Sequence, residues 1–396
     1  MKLHPNLVRA VVATLTEIFQ NQRYADKAVN HRLRSNPKWG ARDRAYIAET
    51  IYEIVRWYRL YAHVRGAEPQ TDADWYEIVA IHHLMRQEPL PSWDEFAAVS
   101  PDRVANRAQA VEDFAVTESI PEWLDRLGRT EMEHQWEETI RALNRRAPIV
   151  LRTNTLKTTR KALRARLARE GIETKPFGRD ALVLNRYANV FGLDVFRQGW
   201  FEVQDAASQE VAEFVDARPG MRIVDTCAGA GGKSLHLAAK MKNKGQIIAT
   251  DIHDYKLNEL RKRARRAGVH NIVVRLLTGA KVYKRLYDTA DRVLIDAPCS
   301  GTGVLRRNPD TKWKLQPKRL DELLGIQADI LDKYSPITKK GGLLIYVTCS
   351  VLPSENERQI AAFLERQPGY ELIDQKTLLP QDFGFDGFFM AKLRRK

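Results

Sequence analysis

From about residue 204 to its end, this 396-residue chain alternates short apolar runs with helical stretches. Parallel strands need helical crossovers, so the alternation commits this part of the chain to βαβ units around a mostly parallel sheet. Candidate strands are Arg222–Asp225, Gln246–Thr250, Asn271–Arg275, Arg292–Asp296 and Gly342–Thr348, with Gly387–Leu393 as one more. The chain has three cysteines, and each closes one of these runs: Cys227 follows Asp225-Thr226, Cys299 follows Asp296-Ala297-Pro298, and Cys349 follows Val347-Thr348. Ligands of open α/β sheets bind beyond the carboxyl ends of the strands. Cysteine is often only a small buried hydrophobe, the simpler reading for any one of the three. All three in polar, Gly/Ser/Thr-rich turns point instead to chemistry.

Two further zones precede this region. Residues 1–145 read as helical: Ile47, Ile51, Ile54, Val55 and Tyr58 form one apolar stripe on a helix beginning near Arg42-Asp43-Arg44. Pro89-Leu90-Pro91 breaks the pattern, Ser92 with Glu95 makes a capping box for a following helix, and another helix is expected from Pro121-Glu122-Trp123-Leu124. Residues 146–203 read as a small α+β segment, with a strand over Ile149–Asn154. A basic helix follows, in which Arg160, Lys161, Arg164, Arg166 and Arg169 surround Leu163 and Leu167, and Gly171 closes it. Such a run is either a solvated face or a nucleic-acid contact.

The charge of the chain as a whole bears on its partners. Lys+Arg 64 against Asp+Glu 50 leaves +14, the footprint of a protein that meets phosphates. No apolar run approaches the ~18 residues of a membrane span. The start, Met1 to Asn6, has no signal-peptide core, so a cytoplasmic location and no membrane partner are expected. Three cysteines without repeated spacing make no disulfide framework, and no clustered Cys/His set accompanies them, so no metal is expected.

Between the first two candidate strands lies Asp225-Thr226-Cys227-Ala228-Gly229-Ala230-Gly231-Gly232-Lys233-Ser234. Its glycines permit a tight turn and close approach of backbone to ligand. Asp251 closes the second strand twenty residues beyond Gly231, the spacing at which a carboxylate accepts hydrogen bonds from a ribose. Gly-Gly-Lys-Ser also suggests a phosphate loop, but that pattern needs Gly at position 227, which is Cys. A ribose-bearing cofactor without a polyphosphate requirement fits, and S-adenosylmethionine is the candidate.

In a doubly wound sheet, Asp296, Cys299 and Cys349 would reach one crevice beside that donor. Carbon 5 of a pyrimidine is too weak a nucleophile to take a methyl group directly. A thiolate adding at carbon 6 turns the ring into an enamine whose carbon 5 can attack. A base must then remove the carbon 5 proton, and a carboxyl at the ring's N3/N4 edge would hold the ring. Other readings stay open here: Asp296 as a strand-end cap, Pro298-Cys299 as a buried turn, or Cys299 and Cys349 as a redox pair.

These residues resemble the RsmB/NOP2/NSUN family of RNA (cytosine-5)-methyltransferases, most closely its bacterial ribosomal RNA branch. The family's donor loop looks like Cys227 to Lys233, with Ala230 where Pro is usual; its Asp-Ala-Pro-Cys-Ser motif is Asp296 to Ser300; its Thr-Cys-Ser motif is Thr348 to Ser350. Arg307 to Asp310 with Lys312-Trp313, Pro353 to Glu357, Asp386 to Phe389, Leu151 to Leu156 and Trp200 to Asp205 extend the match, and the helical start, with Arg42 to Ala45, looks like a NusB-like domain.

The resemblance implies a Rossmann-like class I S-adenosylmethionine-dependent methyltransferase domain over 204–396, an all-helical NusB-like domain over 1–145, and a small α+β RNA-binding segment over 146–203. It also implies Cys349 as the nucleophile, Cys299 as the residue that helps resolve the adduct, and Asp296 at the cytosine edge near the donor methyl. Cys227, Ala228, Gly229, Ala230, Gly231, Gly232 and Lys233 would hold the donor's methionine portion, and Asp251 its ribose. The implied activity is methylation of carbon 5 of a cytosine in RNA, in small-subunit ribosomal RNA, by a monomer. Rivals are the same chemistry on transfer RNA or DNA, and a non-catalytic RNA-binding assembly factor. DNA enzymes of this kind need no second cysteine like Cys349, so Thr348-Cys349-Ser350 favours RNA. One departure is Thr278-Gly279, where the family usually places an adenine-binding Asp.

Overall fold

The apolar stripe of the N-terminal zone is buried as its spacing requires: Ile47, Ile51, Ile54 and Val55 all lie inside, on the helix Ala41–Arg56. The computed structural model describes residues 3–396; Met1 and Lys2, weighed above in judging the N-terminus, lie outside the described residues. Pro5–Phe19, Ala41–Arg56 and Asp72–Met85 pack around Leu15, Ile51, Trp75 and Ile78, and the helix Glu122–Met132 starts directly after Pro121. The capping box expected at Ser92 does not form: a single 3₁₀ turn, Asp94–Phe96, follows instead, with Trp93 at its N-cap and no side-chain cap. The residue before a proline is driven out of helical conformation, so Pro101 ends any helix begun at Ser92. Ser100 is accordingly extended and instead caps the next helix, Pro101–Gln109, accepting from Arg103 N–H.

One compact unit comprises residues 1–145 together with 305–317; the second comprises 146–304 and 318–396. The short stretch 305–317 thus belongs by packing to the helical unit, whereas the sequence placed it with residues 204–396. Its polar side chains make the difference. Lys312 is 1% exposed, donating to Arg56 C=O at 2.8 Å and Asn144 Oδ1 at 3.2 Å, and burial pushes its ammonium well below the ordinary lysine range. Trp313 Nε1 donates to Val55 C=O at 2.7 Å, Asp310 accepts from Ala25 N–H at 2.9 Å, and Arg306 donates to Ala142 C=O at 2.8 Å.

The second unit carries two sheets. The smaller has β1 (Val150–Thr153), β2 (Thr174–Phe177), β3 (Ala181–Leu184) and β4 (Phe201–Val203) in the order β2-β3-β1-β4, all antiparallel. The basic helix, Arg160–Arg169, buries Leu163 and Leu167 and exposes Lys161, Arg164 and Arg169. The larger sheet has β5 (Arg222–Asp225), β6 (Gln246–Asp251), β7 (Ile272–Leu276), β8 (Ala290–Asp296), β9 (Thr338–Thr348), β10 (Tyr370–Leu378) and β11 (Phe388–Arg395), in the order β10-β11-β9-β8-β5-β6-β7. β5 to β9 are mutually parallel, and β11 turns antiparallel against β9. The chain winds outward in both directions from the β5/β8 pair, the switch point where doubly wound folds place their ligands. The all-parallel centre reads as continuous apolar runs because both its faces are covered.

Replacing Lys312 by Ala removes two hydrogen bonds and opens a cavity inside the helical unit. Thermal and urea denaturation should show a loss of about 2–4 kcal/mol; wild-type stability would contradict the role given to residues 305–317.

Candidate active site

The crevice is built by strand ends. After β5, the chain passes through Thr226 to Gly231 into the helix Gly232–Lys240. Gly231 takes φ +81°, and a Cβ there would meet the Leu260 side chain at 2.5 Å, so only glycine fits both the left-handed backbone and the packing. Beside it, Gly229 N–H donates to Asp251 Oδ2 at 2.9 Å and His253 N–H to Asp251 Oδ1 at 2.8 Å. Asp251 is thus locked at the end of β6 against the glycine turn. Space beyond Gly229 is open, and Ile252 next to Asp251 is exposed, so carboxylate, open turn and apolar rim fit a nucleoside-bearing donor. Thr278 is exposed after β7, next to Leu277, whose N–H donates to Asp251 C=O at 3.0 Å.

Two arginines hold the donor loop from the side of the smaller sheet. Arg152 of β1 donates to Gly232 C=O at 2.7 Å, and Arg263 to Ala230 C=O at 2.9 Å while pairing with Glu202 of β4. Below the loop, Ser234 donates to Asp225 at 2.5 Å, and burial pushes the Asp225 carboxyl up to about 7. Cys227 is held within the turn, where burial raises its thiol far above the ordinary range. A thiol that stays protonated there is a packing group rather than a nucleophile.

Lys233, the second residue of the helix, reaches across to the end of β8. Its Nζ lies 2.6 Å from Asp296 Oδ2. Burial works against the ammonium, but the Asp296 carboxylate overcomes it and the lysine ends above its ordinary range. Parallel pairing of β8 with β9 runs through Asp296↔Val347, which places the turns after both strands side by side. Cys299 and Cys349, fifty residues apart in sequence, have their sulfurs 3.2 Å apart. Asp296, Cys299 and Cys349 are each partly exposed, reachable from the crevice. The Cys299 thiol is pushed well above its ordinary range, first by the hydrogen bond with Cys349 and by burial, then by the charges of Cys349 and Glu355.

The structure therefore brings together Lys233, Asp296, Cys299 and Cys349, and separately binds Asp251 to the glycine turn, with Cys227 inside that turn. The polar cluster beneath the two thiols has no role in the sequence reading, although Pro353-Ser354-Glu355-Asn356-Glu357 is its signal. Glu355 is 0% exposed and accepts from Ser300 N–H (2.8 Å), Ser300 Oγ (2.5 Å) and Gln327 Nε2 (2.9 Å). Asn356 accepts from Thr348 Oγ1 at 2.5 Å and donates to Ser350 C=O at 3.1 Å. Elsewhere in this unit Asp180, Glu213 and His236 have oxygen and nitrogen atoms within 4.8 Å of one another. Lys240 Nζ already lies 2.6 Å from Glu213, which marks an ion-pair cluster.

Gly303 closes the site. Its N–H donates to Cys349 C=O at 2.9 Å and its C=O accepts from Gly387 N–H at 2.7 Å, while a Cβ would stand 2.2 Å from Gly387 O and 2.8 Å from Cys349 O. Gly303→Ala should push the two turns apart and lower turnover by roughly a hundredfold; an unimpaired variant in a methyl-transfer assay would show that this contact does not set the site.

Comparison with known proteins bears on family and fold. The family model for 16S rRNA methyltransferase RsmB/F matches residues 212–394, and the RsmF/B-like ferredoxin-like domain matches residues 120–191. A ribosomal RNA small subunit methyltransferase B of Vibrio cholerae is 35% identical over 300 residues, covering 73% of this chain and 68% of that protein. Its counterpart in Yersinia pseudotuberculosis is 38% identical over 288 residues, covering 70% of this chain and 66% of its own length. The chain thus spans about two thirds of the length of these curated relatives. The crystal structure of PH0851 shares the fold over 100% of both chains, with a TM-score of 0.84 at 24% identity.

Proposed function

Since the chain belongs to the RsmB/F family of 16S rRNA methyltransferases, whose methyl donor is S-adenosylmethionine, we propose that it methylates carbon 5 of a cytosine in small-subunit ribosomal RNA through a covalent cysteine adduct. The observation that carries this reading is the pair of thiols 3.2 Å apart, on the turns that follow the neighbouring strands β8, which ends in Asp296, and β9. Methylating an unactivated pyrimidine carbon needs one nucleophile to enter and leave, and a second thiol gives it a partner for the leaving step.

In this mechanism Asp251 and residues 227–233 hold the donor, which supplies an electrophilic methyl group. Cys349 adds to carbon 6 and makes carbon 5 nucleophilic. Asp296, held by Lys233, anchors the N3/N4 edge of the base. Carbon 5 takes the methyl group, and a base then takes the carbon 5 proton. The electrons of that C–H bond re-form the ring double bond and expel the Cys349 sulfur as a thiolate, with Cys299 assisting release. Lys161, Arg164 and Arg169, exposed on one helix, supply phosphate contacts that weaken as salt rises. The exposed Tyr187 and Phe191 offer ring faces to unstacked bases. The reaction is assigned to the cytoplasm, to a monomer and to no metal. Among the described residues no helix is long and apolar enough to cross a membrane.

The roles of the two thiols separate cleanly in experiment. Cys349→Ala should abolish methylation of a small-subunit rRNA transcript while RNA binding survives. Cys299→Ala should accumulate a denaturation-resistant protein–RNA band. Appearance of that band with Cys349→Ala instead would reverse the assignment.

A further inference from the structure

A fully buried carboxylate is costly to retain; one desolvated ion carries a penalty of several kcal/mol, and an apolar residue of similar size often packs as well. Glu355 is such a group, and its partners are specific. Two of its three donors belong to Ser300, the residue after Cys299. The third, Gln327 Nε2, also donates to Pro298 C=O at 3.0 Å, the residue before Cys299. Next along the chain, Asn356 grips Thr348 and Ser350, the residues on either side of Cys349. The Thr302 and Ser350 hydroxyls, 2.9 Å apart, stitch the two turns together, and Tyr346 Oη donates to the Glu355 carbonyl at 2.9 Å, fixing the pair to β9. Glu357, two residues on from Glu355, differs: its carboxylate accepts from Thr377 at 2.8 Å in an exposed contact that involves neither cysteine turn.

We infer that Glu355 and Asn356 are positioning residues for methyl transfer: Glu355 fixes the Cys299 turn and Asn356 the Cys349 turn, so one rigid dipeptide sets the separation of the two thiols. The inference rests on the cysteine-adduct reading above. Two side chains anchored on one short segment cannot drift independently, and small displacements of reacting groups cost large factors in rate. The charge of Glu355 has a second consequence. It adds to the hydrogen bond with Cys349 and to burial, the larger causes, in raising the Cys299 thiol above its ordinary range.

The test uses the full-length protein with a small-subunit rRNA transcript and labelled S-adenosylmethionine, comparing wild type with Glu355→Gln, Ser300→Ala and Glu357→Gln. Glu355→Gln keeps the shape but removes the charge and sets an amide N–H where the carboxylate accepted from Ser300 Oγ, exchanging a charge-assisted hydrogen bond for a neutral one. Its kcat should fall about a hundredfold, and that of Ser300→Ala about tenfold, by misplacement of the Cys299 turn. KM for RNA and donor affinity by calorimetry should stay within about twofold in both, and Glu357→Gln should behave as wild type. Alkylation of Cys299 by iodoacetamide, followed by mass spectrometry across pH, gives a readout that packing alone would not move. Removing a negative charge beside a thiol eases its ionisation, so the Glu355→Gln profile should shift to lower pH. Unchanged kcat with an unshifted profile overturns the inference. So does a loss of donor affinity and thermal stability in parallel with kcat in both Glu355→Gln and Ser300→Ala. If instead wild type fails to methylate carbon 5, or Cys299→Ala traps no adduct, the cysteine-adduct reading fails, and the alkylation profile still reports whether Glu355 governs Cys299.

Discussion

Parallel pairing of β8 with β9 is the constraint on which the site depends. Register through Leu294↔Ile345 and Asp296↔Val347 ends both strands at one level, so the turns that follow emerge side by side. Everything chemical is then arranged on that edge. The carboxylate stands at the last residue of β8, one thiol three residues beyond it, the other just past the end of β9. Hydrogen bonding between the two strands fixes the turns' origins, and the buried cluster of Ser300, Thr302, Ser350, Glu355 and Asn356 fixes their tips. Dry, fully satisfied polar networks of this kind rigidify what they join.

Charge completes what geometry begins. Lys233 compensates Asp296 from the helix that follows the glycine turn, so the turn and the end of β8 share one ion pair. The loop is in turn tied to the smaller sheet by Arg152 and Arg263, whose donors end on the carbonyls of Gly232 and Ala230. The smaller sheet and the glycine turn are thereby joined through two guanidinium groups, with Glu202 balancing Arg263 and Arg266. The exposed basic side chains of Arg160–Arg169 lie on the face of that helix opposite Leu163 and Leu167, free to meet phosphates without disturbing the core.

Much of this was legible in the sequence because the signals are local. β5 is expected over the residues it occupies, and β6 to β9 are displaced or lengthened by a few residues at their ends, since apolar runs of four to seven residues between polar turns admit little else. The donor loop and Asp251 followed from glycine spacing, and the cysteine pair from where its members fall on strands. Features set by distant partners were not legible. Lys312 and Arg306 look like surface charges, and only burial against Arg56, Asn144 and Ala142 shows that residues 305–317 belong with the helical unit. Glu355 looked like one acid among three polar neighbours, because its donors come from positions 300 and 327. β10, exposed along most of its length, lacks the apolar signature by which its neighbours are found. The helix foreseen at Ser92 failed for a local reason, the proline at 101, that a closer reading of backbone restrictions would have caught.

The central claim is that Cys349 bonds to the base while Cys299 waits beside it. The most direct measurement is peptide mapping by tandem mass spectrometry of the complex formed between the wild-type protein and rRNA carrying 5-fluorocytosine. Fluorine cannot leave carbon 5 as a proton does, so the adduct persists. The account predicts a methylated nucleotide attached to the peptide containing Cys349, with Cys299 unmodified. A nucleotide found on Cys299, or no attachment at either cysteine, would contradict it.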